Sequence, residues 1–297
     1  MTSHALLSPS GAHRWLHCTP SARLEATLPE PKKRPGQKDF SAEGTLAHSM
    51  AEIKLRYQLD QIGIEEHDTE IELCKNNPLY SEELEEVANT YVNYVRSQIG
   101  QEDKVFIEAR VDLGEYVVES FGTSDCIIIG QRTLTVIDLK AGAGVPVSAV
   151  NNEQLRLYAL GAYERYKEEF PEIKEIRTII VQHRLDSITD DHTTVAKLIE
   201  WGKYYVKARA QKAYLGTGDF VPGDHCQFCR AKATCRARSD FVNEIAKLEF
   251  RAPALLSNEE VDLVLTRADN LKTWVNDVQE YVLERAVNGE VPVGYKL

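Results

Sequence analysis

A chain of 297 residues, 43% hydrophobic and 27% charged, is long enough to bury one large core or a core with an appended module. No apolar run approaches the ~18 residues of a bilayer span, and no basic segment followed by an apolar one opens the chain. Nothing therefore points to membrane insertion or secretion, and cytoplasmic residence is expected. The net charge of -11 argues against a protein that coats nucleic acid. That charge is uneven, however. About eleven acids face three bases between Glu52 and Glu86, whereas about ten Lys and Arg face five acids between Trp201 and Arg251. A third segment, 14–38, is basic through Arg14, Arg23, Lys32, Lys33, Arg34 and Lys38.

In chain order, residues 8–28 read as one helix, capped by Ser8 or Ser10 and apolar along Trp15, Leu16 and Leu24. Pro29 to Phe40 reads as a loop, Ser41 to Gln58 as a helix, and the acidic stretch 60–80 as loop. Ser81 caps a helix to Ile99 that carries Glu82 and Glu83 in its first turn. Strands are expected at Val105–Leu113, Cys126–Gly130 and Leu134–Leu139, with Tyr116–Glu119 a hairpin partner or continuation of the first. A helix over 150–170 presents Leu155, Tyr158, Ala159, Ala162 and Tyr166 on one side. A buried strand over 176–182, a helix over 193–214 and a Cys-rich loop follow. A short helix near 239–250 and a last helix over 257–287 complete the series, and Val291–Leu297 reads like the start of another element.

This order implies an α/β fold, a mixed central sheet flanked by helices with its core between 105 and 183. The expected divisions are 1–40 with Cys18, a core over 41–215, a cysteine segment over 216–250 and a C-terminal helical arm over 251–297.

The sharpest chemical signal is Gly122-Thr123-Ser124-Asp125, followed by Asp138-Leu139-Lys140. A hairpin can bring the two carboxylates side by side, where they repel unless a divalent cation lies between them. Hard oxygen donors of this kind suit Mg²⁺ or Mn²⁺, and the Leu139 carbonyl can complete the shell. Alternation puts Asp138 and Lys140 on one face, where a lysine can orient water and stabilise charge developing on a phosphodiester. A D-x-K triplet alone occurs constantly by chance, and by itself it is read first as hairpin-edge carboxylates and a surface lysine.

Two further segments change its weight: Gly44-Thr45-Leu46-Ala47-His48 with Glu52 upstream, and Gln154-Leu155-Arg156-Leu157-Tyr158 downstream. The series G-x-x-x-H-x-x-x-E, G-x-x-D, D-x-K and Q-x-x-x-Y, over roughly 44–158, resembles the RecB-like branch of the PD-(D/E)xK nuclease superfamily. The resemblance implies a restriction-endonuclease-like core in which His48, Asp125 and Asp138 bind metal, together with the Leu139 carbonyl. Lys140 would assist the water, and Gln154 and Tyr158 would hold a DNA strand. Each has a bland reading: His48 and Tyr158 as core residues, Glu52 as a helix acid or as the group that orients His48. Glu108, on the first strand, is a contact for a second metal at most.

Six cysteines are present, and in a cytosolic chain clustered ones more often bind metal than pair. Cys226, Cys229 and Cys235 form C-x₂-C-x₅-C, and three thiolates need a fourth donor, for which Cys18 is the candidate. One N-terminal and three C-terminal cysteines around a nuclease core resemble the CRISPR-adaptation exonucleases and the nuclease domain of AddAB-type helicases. That likeness implies a [4Fe–4S] cluster joining the N- and C-terminal parts. Zinc is the competing occupant, with His17 and His225 as spare ligands. Cys126 reads as core, and Cys74 has no ligand spacing. Arg230, Lys232, Arg236 and Arg238 beside the cluster are candidate strand contacts. Lys203, Lys207 and Arg209, with Tyr204 and Tyr205, form a second set.

The expected function is a metal-dependent DNA exonuclease acting on linear ends or single strands. The layout also resembles a phage- and prophage-associated family of formerly unknown function, which implies phage recombination or DNA processing beside an annealing protein or helicase. The alternatives are a non-catalytic DNA-binding accessory protein on the same fold and a zinc-stapled scaffold.

Overall fold

The computed structural model describes residues 5–29, 39–244 and 257–290. Lys32, Lys33, Arg34, Lys38, the end of the helix expected near 239–250 and the segment Val291–Leu297 lie outside the described residues. The chain forms two compact units, each assembled from two pieces: residues 1–13 with 32–211, and residues 14–31 with 212–297.

The helix expected over 8–28 is interrupted. A short 3₁₀ turn leads into α1 (Ala12–His17), and α2 (Ser21–Thr27) starts anew after Cys18, Thr19 and Pro20. Pro20 has no N–H and crowds the preceding turn, so the chain leaves the helix before it and re-enters with Pro20 as the N-cap of α2. Ser8 and Ser10 bond each other, and the Ser8 side chain makes no capping bond.

In the first unit, α3 (Phe40–Gln58) starts at Asp39, whose carboxylate accepts from the Ala42 N–H, and α5 (Glu82–Gln98) starts at the Ser81 cap. Between them the expected loop is largely α4 (Ile64–Lys75), with Glu65 and Glu66 at its positive end. Only Ile71 and Cys74 of α4 are buried, too few to show a helical period.

The sheet contains β1 (Lys104–Asp112), β2 (Phe121–Ile129), β3 (Thr133–Leu139), β4 (Glu175–Gln182) and β5 (Ser187–Thr194), in that spatial order. All neighbours are antiparallel except β3 and β4. That parallel pair requires a crossover, supplied by α6 (Glu153–Tyr166). The architecture is thus mixed α/β, a five-stranded mixed sheet flanked by helices.

Tyr116–Glu119 is turn rather than strand. The N–H groups of Tyr116 and Val117 both donate to the Leu113 carbonyl, reversing the chain into β2. β5 lies mostly on residues for which no element was expected, and only Thr193 and Thr194 were expected to begin a helix. As an edge strand with the polar run Thr189-Asp190-Asp191-His192, it shows no apolar alternation. The helix therefore starts later, with α7 (Val195–Trp201) capped by Thr194. A π-helical turn, Gly202–Val206, leads on to α8 (Lys207–Leu215).

Ile107, Cys126, Ile128, Ile137, Leu139, Ile179 and Val181 pack with Leu46, Met50, Leu84 and Tyr91 of α3 and α5 in one core. On the alternate positions Ile127, Ile129, Val136 and Ile180 are also buried, and α6 packs across β1 to β4. The second unit includes α9 (Arg236–Asn243) and α10 (Asn258–Val287), the latter opened by a capping box of Ser257 and Glu260.

Candidate metal centre and its surroundings

Antiparallel register sets Cys126 opposite Ile137, so the next positions along, Asp125 and Asp138, come together where the strands part. The Leu139 N–H donates to Asp125 Oδ2 at 2.7 Å, and Asp125 Oδ1 lies 3.3 Å from His48 Nδ1. Glu108 joins them from β1. The ladder skips it, passing from Ile107 paired with Cys126 to Ala109 paired with Ser124, and its φ is +47°. A left-handed non-glycine residue inside a strand costs about 1–3 kcal/mol and re-aims its side chain. The donor atoms of His48, Glu108 and Asp125 all lie within 4.8 Å of one another. One ion with metal–ligand distances of about 2.0 to 2.4 Å fits such a set. Glu108 therefore belongs with His48 and Asp125, which sequence reasoning missed by allowing it only a second metal. No local signal marks it, since its place depends on the hairpin register and on a kink that composition does not show.

Asp138 is 2% exposed, and its polar contacts are with Lys140 and Gln154. Lys140 Nζ stands 2.8 Å from Asp138 Oδ2, an ion pair in which that oxygen receives no directed hydrogen bond. Gln154 ties the pair: its Oε1 accepts from Lys140 Nζ at 3.0 Å and its Nε2 donates to Asp138 Oδ1 at 3.2 Å. The same Nε2 lies 3.3 Å from the Tyr158 hydroxyl. Gln154 thus bridges the D-x-K pair, and Tyr158 bonds Gln154 behind it. Glu52 lies beside the site but pairs with Arg56 at 2.8 Å, so the group that orients the His48 ring is Asp125. Buried Gln182, also unforeseen, bonds the Gly142 and Val145 carbonyls and the Val147 N–H, fixing the segment that follows Lys140.

The G-x-x-D glycine has a steric reason. A Cβ on Gly122 would meet Tyr158 Cε1 at 2.7 Å and Pro9 Cγ at 2.8 Å. Gly122→Ala is expected to cost about 1–3 kcal/mol by overpacking. Because Tyr158 leads to Gln154, the melting temperature should fall together with activity. Unchanged melting would remove the argument.

Burial and clustered carboxylates set the electrostatics here. Burial alone would lower His48, but Asp125, with help from Asp138 and Glu108, lifts it to about 9. Burial raises Glu108 to about 7, helped by Asp125 and Glu52. Burial likewise raises Asp138 against the pull of Lys140. Burial would lower Lys140, yet Asp138 outweighs it and keeps the ammonium charged. Both His48 and Glu108 hold protons more tightly folded than unfolded, from ordinary values of 6.5 and 4.5. Their stabilisation is complete below those ordinary values and drains away as pH climbs through about 7 and then about 9. Without divalent cation, melting should therefore drop between about pH 5 and pH 9. Mn²⁺ should offset the drop, because it binds the deprotonated ligands. Circular-dichroism melts at pH 5, 7 and 9 with and without Mn²⁺ test this. A profile indifferent to the cation counts against the site.

In the second unit Cys18, Cys226, Cys229 and Cys235 line one pocket with Arg14 and His225, and all are free thiols. Burial raises Cys18 and Cys226 and takes Cys229 to about 11. Cys74 and Cys126 are buried away from this pocket, Cys126 completely. The nearby bases differ from expectation. Arg238 is buried against Asp277 at 2.5 Å, Lys232 pairs with Asp277 at 2.8 Å, and Arg230 bonds the Glu25 and Leu28 carbonyls. Arg238 and Lys232 thus converge on one carboxylate, as the buried guanidinium requires, whereas Arg230 reaches its carbonyls from an exposed position. Arg236, like Arg230, is exposed.

No described helix is long and apolar enough to cross a membrane. A solved structure described as "Crystal structure of SSO0001" is 13% identical, over 74% of this chain and 95% of that one, with a TM-score of 0.30. A likeness at that level carries no functional argument. Residues 4–297 match the family described as "Protein of unknown function (DUF2800)", and the chain belongs to that family.

Proposed function

We propose that this protein is a divalent-metal-dependent deoxyribonuclease with a RecB-like PD-(D/E)xK site and a four-cysteine iron–sulfur staple, acting as an exonuclease on linear ends or single strands. The observation that carries this reading is the convergence of His48, Glu108 and Asp125 beside the buried Asp138–Lys140 pair. Mg²⁺ or Mn²⁺ would be held by those three side chains, and would supply Lewis-acid activation of the phosphodiester and of water. Asp125 keeps His48 in place, and Gln154 keeps Lys140 aimed. The Lys140 ammonium would lie against the non-bridging phosphate oxygens and stabilise the charge that grows there. Hydrolysis adds the water hydroxyl to phosphorus, breaks one P–O ester bond and returns the proton to the leaving hydroxyl. The phage-recombination setting rests on the family likeness alone.

The four thiols share one pocket, which supports a four-cysteine metal staple. Its iron–sulfur occupant rests on the family likeness, with zinc the competing one.

The test is incubation of purified protein with labelled linear DNA and Mg²⁺ or Mn²⁺, beside Lys140→Ala. Degradation by the parent and not by the variant is expected. Binding without degradation by either would replace the nuclease with a non-catalytic accessory protein.

A further inference from the structure

The segment Val195–Gln211 carries four bases, Lys197, Lys203, Lys207 and Arg209, against the single acid Glu200, in a chain whose net charge is -11. Its middle is the π-helical turn Gly202–Val206, and such turns often sit at functional sites. Packing explains why the turn stays put: a Cβ on Gly202 would approach Tyr116 Cε1 to 2.7 Å and Leu160 Cδ1 to 3.0 Å. Three aromatic residues cluster here. Trp201 and Tyr205 stack with centroids 6.3 Å apart and planes 20° from parallel, and Tyr204 stands 79% exposed. Arg156 of α6 lies 5.8 Å from the Trp201 ring centre and is itself held by Asp191, while Arg209 lies 4.9 Å from that of Tyr205. Together with Lys197 and Glu200 the three rings line an open groove of about 420 Å³.

We infer that this groove is a docking platform for a single-stranded nucleic-acid segment. Bases would stack on Tyr204 and on the Trp201–Tyr205 pair, and phosphates would be met by Lys197 at the groove and by exposed Lys203 outside its lining. Aromatic rings on an open groove beside an exposed lysine match that ligand chemistry without requiring any base sequence. Rings already braced by arginines lose little freedom on binding. Only the idea that the bound strand is also the strand cut rests on the proposed nuclease function.

The probe is an oligo-dT strand, followed through tryptophan emission without added divalent cation, with a duplex of equal length for comparison. Wild type should bind the single strand in preference, with quenching that is lost in Trp201→Phe. Tyr204→Ala should weaken affinity about five- to hundredfold. Lys197→Ala with Lys203→Ala should flatten the salt dependence. All four residues border the groove or solvent, so unchanged melting of the variants separates contact from folding. Equal affinity across the variants, preference for the duplex, or no binding by wild type would overturn the platform. A protein that binds here but hydrolyses nothing keeps the platform and loses the nuclease. One that cleaves with affinity unaltered in the variants does the reverse.

Discussion

Asp138→Asn is expected to slow cation-dependent hydrolysis of linear DNA by about 10² to 10³-fold, the usual cost of removing one preorganised charge from a reacting centre. The substitution preserves shape, so the contact with Gln154 Nε2 is lost only if the amide presents its nitrogen there. What disappears is the charge that holds Lys140 aimed and protonated. The fold should survive, because Lys140 keeps a route to solvent, its side chain being 26% exposed against 3% for Asp138. Lys140→Ala makes the opposite trade. It strands a buried carboxylate and should cost about 3–5 kcal/mol as well as activity. Steady-state rates read beside melting curves separate the two effects. An Asp138→Asn protein as active as its parent would remove Asp138 from the proposed chemistry.

The second large effect concerns the staple. Cys226→Ser should lose bound iron and visible absorption and should unfold the unit made of residues 14–31 and 212–297. The scale is set by metal–thiolate binding, about 10–16 kcal/mol for structural sites, against the roughly 5–15 kcal/mol that holds a whole domain. Losing one donor of four is enough to tip that balance. Cys74→Ser is the control, since Cys74 lies outside the pocket. Iron assay and absorption after anaerobic purification give the readout. A colourless, zinc-loaded protein would keep the staple and reject iron–sulfur. Metal retained by Cys226→Ser would reject the staple itself.

What could be read in the residues depended on how local the cause was. Ser81 and Ser257 announce their helices because a cap needs only a hydroxyl and the next three residues. β3 and β4 announce themselves through burial on both faces. β5 and α4 do not, because an edge strand and a solvated helix bury too little to leave a period. In the site, Asp125, Asp138 and Lys140 are legible from spacing along one hairpin. Glu108 and Gln182 are not, because each acts across the sheet through a register that only the folded chain defines. The bases around Cys229 mislead for a related reason: Asp277, which claims two of them, lies some forty residues further on.

The four thiols of the proposed staple do not leave the ribosome together. Cys18 and Cys226 are separated by about two hundred residues, and at roughly 5–20 residues per second the first waits about 10 to 40 s for the others. Through that interval the early cysteine is a solitary, oxidisable thiol on a nascent chain. With the staple as proposed, assembly of its unit is a late event in biogenesis, and yield in the cell should depend on how quickly its metal is delivered once all four cysteines have been translated.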